Sequence, residues 1–205
     1  MAPEILPLFP LDLVLFPGAA LPLHIFEERY KALIGHCLAT GTEFGINMVS
    51  GGTIETVGCT AAVTRVLRRY PDGRMDIEVK GRRHYRLEAS GTGATPYLTG
   101  KVRYFEDTEA EVDDALARET VGLYNTMVRT AWAGKVEEEE HREGRKVAFH
   151  LARKAGLTAA QRQSLLELTS ENARLAVLRN HLQELIPRLA RMEEIERLVR
   201  NDGFL

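Results

Sequence analysis

The chain is poor in the features that mark an exported or membrane-bound protein. Its two cysteines, Cys37 and Cys59, follow no CxxC spacing, and no Asn-x-Ser/Thr sequon occurs in its 205 residues, so nothing points to export or to a disulfide framework. The most apolar stretch, LPLFPLDLVLFPGAALPLHI over residues 6–25, is cut by Pro7, Pro10, Pro17 and Pro22 and carries Asp12 and His24. A signal peptide needs a basic start and an uninterrupted apolar core, whereas Glu4 is the only charge before Asp12. A membrane span needs about 20 consecutive apolar residues, and none are found in a row. The expected compartment is the cytoplasm, with no membrane partner. Strong net charge is lacking too: a balance of -2 gives the chain as a whole no marked attraction to nucleic acid or anionic lipid.

Catalytic signatures are also missing. Gly134-Lys135 is followed by Val136 and lacks the glycine that a P-loop places five positions before Gly134. Gly91-Thr92-Gly93 meets Pro96 where a dinucleotide fingerprint requires its third glycine. HExxH, GxSxG and the EF-hand loop do not occur, and the six histidines show no ligand spacing. His24, His36, Cys37 and Cys59 are spread over 36 positions and read as buried thiols and surface imidazoles. Glu27-Glu28 reads as a solvated helix start, and Ser50, Ser90, Ser164 and Ser170 have no adjacent base. The expectation is a non-enzymatic protein without cofactor or metal.

What is present is a change of texture midway. Up to about residue 107, β-branched and aromatic residues alternate with polar ones between Gly and Pro punctuation, which predicts strands. One helix interrupts them, from Glu27 to about Ala39, with Tyr30, Leu33, Ile34, Cys37 and Leu38 on one face and Gly41 as a stop. Strands are expected at 43–49, 57–70, 74–88 and 96–105, with Pro71-Asp72-Gly73 turning the second into the third. In the third, Met75, Ile77 and Val79 face one way and Asp76, Glu78 and Lys80 the other, and Gly81 marks a bulge. Many strands with tight turns and one helix imply a small closed or nearly closed barrel.

From residue 108 the pattern is helical. Val112, Leu116, Leu123 and Met127 give one amphipathic face, EEEEHREG (137–144) reads as a charged, solvated loop, and a short helix runs from about Arg145 to Ala155 with Gly156 as its stop. Thr158 and Gln161 form a capping box. Leu175, Leu178, Leu182, Leu185, Leu189 and Met192 then make a heptad seam, read as a helix packed along its own domain, with a kink expected before Pro187. The fold class is α+β, divided as 1–107 and 108–205.

The opening LPLFPLDLVLFPGAALPLHIFEERYKALIGHCL resembles the Lon N-terminal, or Lon substrate-binding, domain family. Leu6-Pro7-Leu8, Val14-Leu15-Phe16-Pro17-Gly18, Leu21-Pro22-Leu23-His24-Ile25-Phe26-Glu27, Arg29-Tyr30 and Leu33 match that pattern. Later markers follow in order: Val57-Gly58-Cys59, Asp72-Gly73-Arg74, Gly81-Arg82-Arg83, Tyr85-Arg86-Leu87, Pro96-Tyr97-Leu98 and the stretch from Gln163 to Leu168. The resemblance implies a PUA-like β pseudo-barrel with one short helix, followed by a helical bundle ending in a long helix. It further implies binding of unfolded or extended polypeptide or of a partner protein, without the ATPase and Ser-Lys peptidase that Lon proteases add. Homo-oligomer formation stays open. An adaptor or chaperone-like role in protein quality control is the expected function.

Two surfaces follow as candidates. Phe16, Pro17, Phe26 and Tyr30 are expected to stay partly exposed and to meet polypeptide. The alternative is RNA binding, because PUA-like barrels elsewhere bind RNA. Residues 65–86 hold eight basic groups against Asp72, Asp76 and Glu78, with Arg65, Arg68, Arg69, Tyr70, Arg82 and Arg83 as its candidate contacts.

Overall fold

The structure, a computed structural model, describes residues 3–108, 111–132 and 138–201. The chain divides into two compact units, Met1–Glu106 with Thr158–Glu167, and Asp107–Leu157 with Leu168–Leu205.

The first unit is a six-stranded antiparallel sheet with two helices. Its strands are β1 (Glu4–Pro7), β2 (Ala20–Ile25), β3 (Phe44–Ser50), β4 (Thr53–Arg69), β5 (Met75–Gly91) and β6 (Thr99–Tyr104), and α1 (Glu28–Thr40) lies between β2 and β3. The order is β1-β6-β5-β4-β3, and parallel bridges Leu8–Gly45 and Leu11–Met48 carry the chain after β1 back to β3, closing the barrel. β2 stands off this path and pairs only with β5, from Ala20–Lys80 to Ile25–Met75. The first halves of β5 and the last third of β4 therefore join β2 in a three-stranded arm. Met75, Ile77 and Val79 are buried on its inner face, as the period of two predicts, opposite Ile25, Leu23 and Leu21. α1 buries Tyr30, Leu33, Ile34 and Cys37 and stops where Gly41 takes φ +70°, a left-handed conformation that costs glycine little.

Inside the barrel, Leu6, Leu8, Tyr85, Val102 and Tyr104 form a core cluster. The fully buried Tyr85 hydroxyl donates to Asn47 Oδ1 (2.5 Å), and Asn47 Nδ2 donates to the Glu55 carbonyl (2.9 Å), so these buried polar groups are partnered. At Gly81 the register shifts: Arg82 and Arg83 of β5 oppose Thr60, confirming the bulge. A side chain at Gly81 would lie 2.2 Å from the Phe16 carbonyl oxygen, so its absence lets the 16–19 turn dock on β5, where Gly18 N donates to the Gly81 carbonyl and Gly81 N to the Ala19 carbonyl. α4 (Ala159–Glu167) completes this unit, opened by the predicted box: Gln161 N donates to Thr158 Oγ1 and Thr158 N to Gln161 Oε1. Gln163 Nε2 then ties the helix to the Val57 carbonyl of β4 (3.1 Å).

The second unit holds α2 (Asp114–Trp132), α3 (Ala148–Ala152) and α5 (Glu171–Asn201), which continues on both sides of Pro187. α2 and α5 run side by side, with Asp113 N bonded to Asn172 Oδ1 and Arg179 near Glu119. The buried stripe of α2 is Ala117, Thr120, Val121, Tyr124, Met127 and Val128, which corrects the expected face: Leu116 and Leu123 are only half-buried. Small and hydroxyl residues at 117 and 120 fit the close helix contact that the leucine pattern had obscured. The α5 seam is buried at Leu175, Leu178 and Leu182, half-buried at Leu185 and Leu189, and open at Met192. At 1.5 Å per residue, α5 outruns α2 by roughly 18 Å, which accounts for the exposure of Met192, Ile195 and Leu198.

A charged node holds this unit. Arg174 is fully buried, and its guanidinium donates to both Asp107 carboxylate oxygens (2.6 and 3.0 Å) and to the Leu168 carbonyl, with the Phe149 ring 4.2 Å away. Glu171 Oε1 accepts from the Val147 and Ala148 amides, satisfying two free donors at the start of α3. In its described part the acidic stretch is a charged loop, as expected, but Glu139 within it is not solvated. Glu139 accepts from Arg145 (2.5 Å), pairs with His150 (2.7 Å), and its backbone is held by Asn125 from both sides.

Candidate polypeptide-binding surface

The candidate surface grows from the end of the three-stranded arm. Pro71-Asp72-Gly73 turns β4 into β5, with Gly73 at φ +83° and Tyr70 N donating to the Arg74 carbonyl. That turn brings Tyr70 beside Asp76, while the β2–β5 register sets His24 opposite Asp76. His24 Nδ1 donates to Asp76 Oδ1 (2.6 Å) and the Tyr70 hydroxyl to Oδ2 (2.8 Å), so both carboxylate oxygens are engaged. The His24 hydrogen bond, followed by that of Tyr70, holds the Asp76 carboxyl below its ordinary value, and the same bond to Asp76 raises the Tyr70 phenol. The His24 ring lies 6.0 Å from both the Tyr70 and Phe26 rings. Phe26 stands at the end of β2, 59% exposed, as the apolar end of this cluster.

The four residues expected to meet polypeptide separate sharply. Phe26 is open and Pro17 half-buried, but Phe16 is 1% exposed and Tyr30 9%, which corrects their expected exposure. Phe16 turns inward because its backbone docks on Gly81, and Tyr30 because its ring stacks on Phe9 at 3.9 Å beneath α1. His24, Asp76 and Tyr70 carried no signal as a set, since His24 and Asp76 are 52 positions apart. Only the hairpin register joins them.

The arm's backbone edges are guarded. Pro22 sits mid-way along the outer strand β2 and offers no donor there. On the other side, residues beyond Ala61 of β4 have no partner strand opposite β5 among the described residues, and bulges insert Thr64 and Leu67 against the β5 register. An added strand would meet a missing donor on one edge and two bulges on the other. Side chains, rather than a backbone ladder, are what the arm offers.

The six RNA candidates are arranged differently from what base stacking needs. Arg65 bonds Glu78 (3.4 Å), and the Arg68 and Arg74 guanidiniums lie 4.6 and 5.1 Å from the Tyr70 centroid. Arg83 covers the Tyr104 ring at 3.8 Å. Arg69 and Arg82 are exposed. Among the described residues, no cluster of three His, Cys, Asp or Glu side chains could hold a metal, and no helix is long and apolar enough to cross a membrane. Burial pushes the Cys59 thiol up to about 12, which leaves it protonated at neutral pH.

Comparison with known proteins agrees with this architecture. The chain is 32% identical over 133 residues to a Lon protease of Parabacteroides distasonis, covering 60% of this chain and 16% of that protein. It is 27% identical over 211 residues to the Lon protease of Chloroherpeton thalassium, covering 96% of this chain and 25% of that protein. The chain thus spans a quarter or less of these relatives. Among solved structures, a Lon N-terminal domain protein from Xanthomonas campestris matches with a TM-score of 0.67 at 28% identity, over 85% of this chain and 96% of that one. The N-terminal domain of a Mycobacterium avium complex Lon protease matches in fold with a TM-score of 0.72 at 23% identity, over 88% and 98%. The family model described as the ATP-dependent protease La (LON) substrate-binding domain matches residues 5–184. With an α+β fold of this kind and that match across most of its length, the chain belongs to the Lon substrate-binding domain family, and to its substrate-binding rather than its protease catalytic part.

Proposed function

We propose that this chain is a non-enzymatic module that binds extended or unfolded polypeptide, acting in the cytoplasm as an adaptor or chaperone-like partner in protein quality control. One observation carries the reading. Phe26 stands open beside a His24–Asp76–Tyr70 network that fixes its surroundings, on an arm whose edges resist strand addition. An exposed aromatic on a rigid polar frame suits capture of apolar side chains from a flexible chain, at little ordering cost to the module. Family membership supports the same reading, and the P-loop, HExxH and GxSxG signatures do not occur in the sequence.

Fluorescence anisotropy with a labelled unfolded polypeptide tests it. Binding in the micromolar range, weakened several-fold by Phe26→Ser at unchanged Tm, is the expected outcome. Absence of binding at high micromolar concentration would overturn it.

A further inference from the structure

The charge balance around Phe26 specifies the kind of segment that such a surface takes, an inference that rests on the polypeptide-binding reading. We propose that the arm selects extended segments whose apolar side chains are flanked by carboxylates.

The carboxylate oxygens of the arm are hydrogen-bonded within it. Asp76 is engaged by His24 and Tyr70, Asp72 by the Arg74 side chain (2.7 Å) and backbone amide, and Glu78 by Arg65 and Thr64. Three exposed cations of the arm, Arg68, Arg69 and Lys80, hold no salt bridge among the described residues. Arg68 lies over the Tyr70 ring, and Arg69 Nη1 meets Met75 Sδ at 3.7 Å. The bulge in β4 adds an apolar neighbour, because Leu67 is the extra residue inserted next to Arg68 opposite Asp76 and is 51% exposed. An open apolar side chain beside guanidiniums that hold no salt bridge is complementary to an apolar residue beside a carboxylate. A guanidinium resting on a ring keeps N–H groups at its rim for such a partner, and its planar fork can grip a carboxylate through two hydrogen bonds.

The test uses three labelled peptides with one apolar core, flanked by Glu, by Gln or by Lys, titrated by anisotropy against the full chain at low and moderate salt. At low salt the Glu peptide is expected to bind about fivefold more tightly than the Gln peptide, the worth of one contact between unit charges at 4 Å in water, and the Lys peptide most weakly. Arg68→Gln with Arg69→Gln should bring the Glu peptide down to the Gln peptide, while Phe26→Ser weakens all three alike. All three side chains are exposed, so an unchanged Tm is the folding control. Equal binding of Glu and Gln peptides overturns the carboxylate preference and leaves polypeptide capture standing. Failure of every peptide to bind overturns polypeptide capture itself. A single-stranded RNA bound as tightly as the Glu peptide, with a steep salt dependence, overturns the preference by making the arm a general anion surface.

Discussion

Replacing Arg174 by Met removes a side chain that ties separate segments of the helical unit together. The wild-type guanidinium makes a two-pronged bond to Asp107, reaches the Leu168 carbonyl, and approaches Glu171 Oε2 at 3.6 Å, with no solvent exposure. Methionine conserves much of the packing against Phe149, so the loss is mainly electrostatic. Breaking a buried ion pair by removing one partner costs about 3–5 kcal/mol, and Lys146, which also bonds Asp107 at 2.9 Å, keeps the figure near the lower end. A cost of about 3 kcal/mol in a chain of this size lowers Tm by roughly 6–12 °C, measurable by calorimetry or by urea unfolding. The decisive comparison is Arg174→Met with Asp107→Leu. Removing both charges should recover about 1–3 kcal/mol relative to the sum of the single losses, because neither partner is then left buried alone. Additive single and double variants would refute the idea that the two side chains act as a unit.

Three further outcomes follow from the structure. At Asp107, burial acts upward but the hydrogen bonds from Arg174 and Lys146 outweigh it and hold the carboxyl below its ordinary value. Its contribution is therefore complete above about pH 4 and is lost as the pH falls through the lower folded value, so the gap in stability between wild type and Arg174→Met should hold down to about pH 4 and narrow below it. Gly58→Ala should lower stability by about 1–3 kcal/mol in urea unfolding, since its new methyl would lie 2.6 Å from the Ile46 carbonyl oxygen and 2.8 Å from the Tyr85 hydroxyl in a packed core. Cys59, buried and held protonated, should resist alkylation in the native chain at pH 8 and react only on unfolding, as intact mass before and after urea will report.

The parts of the fold written in local chemistry were legible from the sequence. Gly41 ends α1, Thr158 and Gln161 cap α4, Gly81 marks a bulge, and the alternation from Met75 to Lys80 sorts inside from outside. Each depends on residues a few positions apart. The errors lie where a distant partner decides. Phe16 is apolar in a proline-broken stretch and looks free until Gly81, 65 positions on, is seen to receive its backbone. β2 lies in the proline-broken stretch, where Pro22 suits an outer strand, but its partner β5 is fixed by residues 50 or more positions on. The stripe on α2 was misplaced because Ala117 and Thr120 carry the contact, and a search for leucines passes over them. Of the candidate surface, Phe26 was within reach of the sequence, whereas its frame of His24, Asp76 and Tyr70 exists only once β2 and β4 flank β5.

The placement of α4 bears on the order in which the molecule can be made. Its residues belong with the strands that precede residue 107, yet they are encoded beyond the whole of α2 and α3. On a ribosome adding about 5–20 residues per second, the emerging barrel waits roughly 3–12 s after Glu106 before Glu167 is even polymerised. Throughout that interval the Val57 carbonyl lacks the Gln163 amide that will cover it. A nascent chain arrested near residue 107 should accordingly be more open to protease than the same strands in the finished protein, and synthesis of α4, not of β6, marks the moment at which the first unit can mature.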